Sequence, residues 1–278
     1  GSLDQAIGIG SLFLPAGQEV VTVRYRNQAD EVARADGNAV STREPMIVLA
    51  DEYSASASEI VAGALQDHDR ALVVGVTTFG KGLVQSLYPL EEGWALKFTT
   101  GRWYTPSGRT IQKPRNRDGS VRTGIAVDTT PYRTDAGRRL GGGGGIAPDV
   151  EVKPDTMVDV EKEFARRVAA KSSAVSPSMS LLARSLAVGA KSDFRVTQAW
   201  RDSLFARLTT AGVDVDRQQF DAARRIADRM IETRVARLVG ADTLVFRRDV
   251  AFDPALRRAA DLLKSSRTQA ALFAAAAR

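Results

Sequence analysis

The 278-residue sequence contains no cysteine and only 1 histidine. Structural disulfides and cysteine-based metal sites are therefore excluded, and one imidazole is too few for a zinc centre. Aromatic residues make up 6% of the chain against 44% hydrophobic residues overall, so the core is aliphatic and alanine-rich. No apolar run approaches the length of a membrane-spanning helix. No secretion leader is visible, and the chain reads as starting within a domain, so its compartment stays open. Acidic residues are the minority charge: 33 against 39 lysines and arginines, for a formal net charge of +6. The basic excess is scattered over C-terminal segments of helical pattern, without interleaved aromatics. It reads as solvated helix faces and excludes a nucleic-acid patch.

Against this background one stretch stands out. Ser54 to Gln85 holds the alternating cluster Ser54-Ala55-Ser56-Ala57-Ser58, then a segment with apolar residues at helical spacing, Glu59 to Leu65. The short apolar run Ala71-Leu72-Val73-Val74 follows, and then Phe79-Gly80-Lys81-Gly82. A serine hydroxyl is a poor nucleophile until a base takes its proton. His68 is the only imidazole, and Gln66 to Arg70 reads as a helix end, where a histidine is solvated and complements the helix dipole. Lysine is then the natural base. It works only when neutral, and desolvation favours that form. The glycines around Lys81 allow tight packing about its side chain. A serine at a helix start has free backbone N–H groups and a favourable dipole for an oxyanion. A plain N-cap serine with Glu59 as a first-turn acid explains one serine, not three alternating with alanine.

Other motifs fit less well. Gly75 to Lys81 matches most of a phosphate-binding loop, but Gly82 stands where serine or threonine is needed, and a strand pattern follows instead of a helix. Neither G-x-S-x-G nor S-x-x-K occurs. Five glycines, Gly141 to Gly145, precede no helix start and read as a turn.

SASASEIVAGALQD followed by VVGVTTFGKGLVQ resembles the C-terminal processing (tail-specific) peptidases, serine proteases with a Ser–Lys dyad. The resemblance implies Ser56 as nucleophile, Lys81 as general base and Gln85 as the residue positioning the lysine. It implies the Ala57 N–H as one oxyanion donor and Gly1, as part of a Gly-Gly turn, as the other. TPSGRTIQ (Thr105 to Gln112) and GGGGIAPDV (Gly142 to Val150) are also similar to family segments. No metal or organic cofactor is implied. Relatives carry an export or anchor segment and a PDZ domain upstream, which this chain lacks, so the likeness covers their second half. An exported, periplasmic or cell-envelope location is implied by the resemblance alone.

Along the chain, Leu3–Leu14 reads as a helix, Val20–Tyr25 as a strand, Asn27–Glu44 as an exposed hairpin or loop and Met46–Ala50 as a buried strand. Trp94–Thr105 reads as a strand, a turn follows at Pro106–Arg109, and strand resumes at Thr110–Gln112. Arg115–Gly141 reads as an exposed insertion. From about Pro154 strand signals nearly vanish. Helices are expected over 164–171, 179–188, 196–211, 217–239, 253–263 and 267–278. In the fourth, Phe220, Ala223, Ile226, Ala227, Met230, Ile231 and Val235 form an apolar stripe that packs on the core or pairs with another subunit. The expected architecture is α/β: a partial ClpP/crotonase-like protease core over 1–153, then an all-helical domain over 154–278. The expected function is a serine endopeptidase that cleaves proteins near apolar C-termini. The alternative is a non-catalytic scaffold or oligomerisation fragment of such a protease.

Overall fold

The computed structural model describes residues 1–116, 120–122 and 130–277. Of the expected insertion Arg115–Gly141, residues 117–119 and 123–129 lie outside the described residues. The chain divides into two compact units, Gly1–Pro154 with Ala255–Arg278, and Asp155–Pro254.

The first unit opens with α1 (Leu3–Ser11) and continues through β1 (Glu19–Tyr25), β2 (Glu31–Arg34), β3 (Ile47–Ala50), α2 (Ala57–Asp67), β4 (Leu72–Gly75), β5 (Leu83–Pro89) and β6 (Ala95–Tyr104). Three short strands follow: β7 (Tyr132–Arg133), β8 (Arg139–Leu140) and β9 (Val150–Glu151). One antiparallel sheet runs β2-β1-β6-β5 and a parallel one runs β3-β4-β9. β4 is central, pairing Ile47 with Leu72 on one side and Val74 with Val150 on the other. All four of its residues are buried, which explains its unbroken apolar pattern. β3 departs from expectation: it is the sheet's edge, and Leu49 is exposed. Helix α2 connects β3 to β4 and buries Ile60, Ala64 and Leu65 against Val21, Trp103, Ile111 and Ile146. The segment Thr110–Gln112 forms no strand; its hydrogen bonds go elsewhere, as described below.

The second unit is helical: α3 (Asp159–Ala170), α4 (Ser172–Ala187), α5 (Gln198–Thr210), α6 (Arg217–Ala222) and α7 (Arg224–Asp249). The helix expected over 217–239 is broken after Ala222, and α7 is itself kinked at Gly240–Ala241, where Ala241 adopts φ +52°. Phe220, Ala223, Ala227, Ile231 and Val235 of the apolar stripe are buried against Phe164, Met179, Leu204 and Leu208 of the same unit. The stripe is internal packing.

The last two helices, α8 (Pro254–Ser265) and α9 (Gln269–Ala276), do not extend this helical unit. Leu262 and Leu272 pack on Leu72 and Val74 of the parallel sheet, and the Gln269 side chain accepts from Met46 N–H at 2.8 Å. In contrast to the expected division at 153/154, the units change at Pro154/Asp155, and residues 255–278 group with the first unit. The physical reason is that β3 and β4 need an apolar cover, which α8 and α9 supply.

A buried ion pair fixes the segment after β6. Arg109 is fully buried and donates through Nη2 to Asp67 Oδ1 at 2.7 Å and Gln66 Oε1 at 2.6 Å. Its Nη1 donates to the Gly141 carbonyl at 3.1 Å, and Asp67 Oδ2 accepts the Ser107 N–H at 2.9 Å. The turn 105–109 is thereby tied to the end of α2. Removing one member of a buried pair strands the other charge. Arg109→Met should lower unfolding stability by about 3–5 kcal/mol. Adding Asp67→Asn, which discharges the site but keeps an acceptor for Ser107, should recover part of that loss; urea unfolding curves of the two variants check this.

Candidate active site

The site begins with a strained residue. Ser56 lies between β3 and α2 and has φ +58°, ψ −115°, a conformation rare for a residue with a side chain. The flanking Ala55 and Ala57 leave room for so sharp a strand-to-helix turn. The three serines part company here. Ser54 is committed to the turn: its Oγ donates to Asp51 Oδ1 at 2.8 Å, and its carbonyl accepts the Phe79 N–H at 2.9 Å. Ser58 is exposed on α2. Among the described residues, Ser56 Oγ has no hydrogen-bond partner, and Ser56 lines a cavity of about 300 Å3.

Glu59 holds the turn in place. It is fully buried. Its Oε2 accepts the N–H of Ser56 at 2.8 Å and of Lys81 at 2.9 Å. Its Oε1 accepts the Thr78 hydroxyl at 2.5 Å and the Gly80 N–H at 2.7 Å. One carboxylate therefore joins the serine turn to the Phe79–Gly82 loop with four donors, which compensate the burial of its charge. The Lys81 peptide is held on its other side as well, its carbonyl accepting Trp103 Nε1–H at 3.1 Å.

The segment after Arg109 supports the same loop from behind. Gln112 Oε1 accepts the Gly82 N–H at 2.8 Å, and Lys113 N–H donates to the Gly80 carbonyl at 3.1 Å. Lys113 Nζ donates to the Thr78 carbonyl at 2.6 Å. Burial pushes the Lys113 ammonium below the ordinary lysine range, against the pull of the Glu59 carboxylate. Gly80 is required where it stands: it has φ +83°, and a Cβ there would lie 2.5 Å from Lys113 Cγ.

All five residues singled out from the sequence line one cavity. Gly1, Ser56, Ala57, Lys81 and Gln85 share it with Leu3, Ile60, Leu83, Val84, Leu87, Lys97 and Trp103. Gly1 lies directly against Ala57, where a Cβ on it would stand 2.7 Å from Ala57 Cβ. Ala57 opens α2, so its N–H has no acceptor a turn earlier. Among the described residues no hydrogen bond joins Ser56 to Lys81 or Lys81 to Gln85. Gln85 is exposed on β5.

His68 stays outside the site. It is not the solvated residue expected: its side chain is 9% exposed, its Nε2 donates to the Glu19 carbonyl at 2.7 Å, and its Nδ1 lies 2.8 Å from Asp135 Oδ2. Both ring nitrogens are engaged, so no lone pair is free for Ser56. The residues that sequence reading missed are Glu59 in its linking role, Thr78, Gln112 and Lys113. Glu59 follows Ser56 at capping-box spacing, which signals the bond to the Ser56 N–H. Nothing local signals its bonds to residues 78–81.

Among the described residues no helix is long and apolar enough to cross a membrane, and no cluster of three or more acidic or histidine side chains could hold a metal ion. Residues 1–119 match the family model described as peptidase family S41. The "Carboxy-terminal-processing protease" of Bartonella bacilliformis is 53% identical over 114 residues, which is 40% of this chain and 26% of that protein. The "Carboxy-terminal processing protease CtpA" of Bacillus subtilis is 37% identical over 113 residues, 41% of this chain and 24% of its own length. A solved "photosystem II D1 C-terminal processing protease" is 28% identical with a TM-score of 0.41, covering 57% of this chain and 33% of that one. The chain thus spans about a quarter of the length of these two curated relatives. The likeness to peptidase family S41 is carried by residues 1–119 of this chain.

Proposed function

We propose that this chain carries the catalytic segment of a serine endopeptidase with a Ser–Lys dyad, built on a ClpP/crotonase-like core. The observation that supports it most is that a serine with a free hydroxyl and a loop lysine share one cavity, their backbones tied by Glu59. The names of the relatives support the same reading.

In this mechanism Ser56 Oγ attacks the scissile carbonyl carbon while its proton passes to the neutral amine of Lys81. The carbonyl oxygen, now an oxyanion, is held by the N–H of Ala57 and of Gly1, at the positive end of α2. Collapse breaks the C–N bond, and the leaving amine takes the proton from Lys81. A water molecule then gives up a proton to Lys81, attacks the acyl-serine and regenerates Ser56 as the acid product leaves. Gln85 orients the Lys81 amine. The substrates are proteins with apolar C-termini, and the location is the periplasm or cell envelope. None of these steps calls for a metal or organic cofactor.

A second reading is a non-catalytic scaffold or oligomerisation fragment of such a protease. The unbonded Ser56 Oγ and Lys81 Nζ are its support, although catalytic hydrogen bonds often tighten only with substrate present. A fluorophosphonate probe separates the two, since only an assembled site labels its serine. The wild-type chain should label at Ser56 and Ser56→Ala should not. Lys81→Ala should slow labelling and cleavage of an unfolded protein by about 10²–10⁴-fold. Gln85→Ala should slow them less, because it positions and does not react. Undiminished cleavage by Ser56→Ala or Lys81→Ala removes the dyad.

Glu59→Gln gives a separate test. The amide turns a donor toward groups that are themselves donors, leaving buried N–H groups unpaired. It should destabilise the unit by about 2–3 kcal/mol. It should also slow probe labelling by roughly a hundredfold, because both catalytic backbones lose their common anchor. Labelling at the wild-type rate would show that the two loops hold their relation without Glu59.

A further inference from the structure

The peptide groups that lead into Lys81 are each held at both ends. On one side the Phe79 N–H donates to the Ser54 carbonyl at 2.9 Å, and the Gly80 and Lys81 N–H groups donate to Glu59. The carbonyl ends all go to one other segment. The Thr78 carbonyl accepts Lys113 Nζ at 2.6 Å, and the Phe79 carbonyl accepts Arg115 Nη2 at 3.1 Å. The Gly80 carbonyl accepts the Lys113 N–H at 3.1 Å. The Arg115 guanidinium also lies over the Phe79 ring, 4.1 Å from its centroid. The serine turn and α2 grip one side of the loop, and Lys113 and Arg115 grip the other.

Neutral donors could make these bonds. Cations bring a net charge as well, and that charge has a counterpart. The four groups that donate to Glu59 are all neutral, so they satisfy its oxygens without cancelling its charge. The Lys81 N–H lies 2.9 Å from Glu59 Oε2, which keeps the whole lysine stem near this carboxylate. A nearby negative charge favours the protonated amine, and a protonated Lys81 cannot act as a base. Lys97, the other cation of the cavity wall, is exposed, and water and salt screen it. Lys113 stands closer to the carboxylate. Its ammonium and Glu59 share one residue, Thr78, whose carbonyl accepts from Nζ and whose hydroxyl donates to Oε1 at 2.5 Å.

We propose that Lys113 is a positioning residue that also balances charge: its ammonium offsets the Glu59 carboxylate, so that Glu59 anchors the loop while the Lys81 amine keeps its neutral form. The catalytic meaning rests on the Ser56–Lys81 reading, whereas the charge balance stands without it. The charged groups acting on Lys113 are Glu59 from α2, which favours its ammonium, and Arg115 from its own segment, which opposes it; Lys81 sits on the loop it holds. Burial sets Lys113 below the ordinary lysine range, so its charge is lost at lower pH than that of an exposed lysine. Once it is lost, Glu59 stands unbalanced and draws Lys81 back toward protonation. The rate, which rises with pH as Lys81 becomes neutral, then flattens.

The test reads Lys81 directly, by NMR titration of isotopically labelled lysine side chains. The Lys81 signal is assigned by its loss in Lys81→Ala, and fluorophosphonate labelling of Ser56 is followed over the same pH range. In Lys113→Met and in Lys113→Gln the Lys81 signal should titrate at higher pH than in the wild-type chain. Labelling should be about tenfold slower near neutral pH, and the gap should close as pH rises. Lys113→Arg keeps the charge and should restore the wild-type titration. It should also remove the alkaline flattening, because a guanidinium does not titrate there. An unmoved Lys81 titration in Lys113→Met and Lys113→Gln overturns the proposal, and so does labelling that falls by one factor at every pH, which marks a mere prop. An equal shift in Lys113→Arg overturns it as well, since lost packing and not lost charge would be the cause. A shifted titration in a chain whose Ser56 never labels upholds the charge balance and refutes the Ser56–Lys81 reading instead.

Discussion

The site depends on the Glu59 carboxylate. Two segments that meet in the cavity, the turn around Ser56 and the loop around Lys81, have no direct hydrogen bond between their side chains. Their relation is set through the backbone, by four donors converging on one buried acid. A buried carboxylate without partners would be costly, and the same four donors without an acceptor would be costly too. Each side is stable only because the other is present, so the two loops cannot drift apart without exposing both penalties.

That mutual dependence explains how a strained turn persists. A non-glycine residue with the Ser56 backbone costs about 1–3 kcal/mol, and such residues survive where surroundings over-determine them. Here the bond from the Ser56 N–H to Glu59 and the Ser54 carbonyl bond to Phe79 fix the turn from two directions. The support continues outward. Gln112 and Lys113 hold Gly82 and Gly80, and they are held in turn by the turn that Arg109 and Asp67 pin to α2. Helix α2 thus contributes at both ends: its first turn presents Ser56 and the free Ala57 N–H, and its last residue anchors the backing of the lysine loop.

Much of this was legible in the sequence because it is local. The periodicity of Ile60, Ala64 and Leu65 marks α2, and the apolar run from Leu72 to Val74 marks a strand. Gly1, Ser56, Ala57, Lys81 and Gln85, which the family resemblance singles out, line one cavity. What was not legible is what long-range pairing decides. Met46–Ala50 has the composition of an interior strand, but whether a strand is central or at an edge depends on neighbours that its own residues do not name. His68 looks like a surface residue until Glu19 and Asp135, distant in sequence, take both its nitrogens. The return of α8 and α9 to the parallel sheet is of the same kind. Their apolar faces fit a helical bundle equally well, and only the uncovered side of β3 and β4 selects the sheet. Glu59 is the sharpest case, because its spacing from Ser56 shows one bond and conceals three.

The arrangement also separates what is fixed from what is free. The backbones of Ser56 and Lys81 are bonded at defined points, while among the described residues no hydrogen bond holds Ser56 Oγ or the Lys81 amine, and both residues line the cavity. A lysine stem has four carbons and loses about 2 kcal/mol of rotamer freedom when held in one geometry. Anchoring the backbone and leaving the tip loose lets the Lys81 side chain change rotamer without rearrangement of either loop. In the mechanism proposed above, the contact between Lys81 and Ser56 would be made when an occupant of the cavity restricts that rotation. Rigidity is concentrated where it limits motion without opposing it: in the peptide groups of the loops and in the acid that joins them.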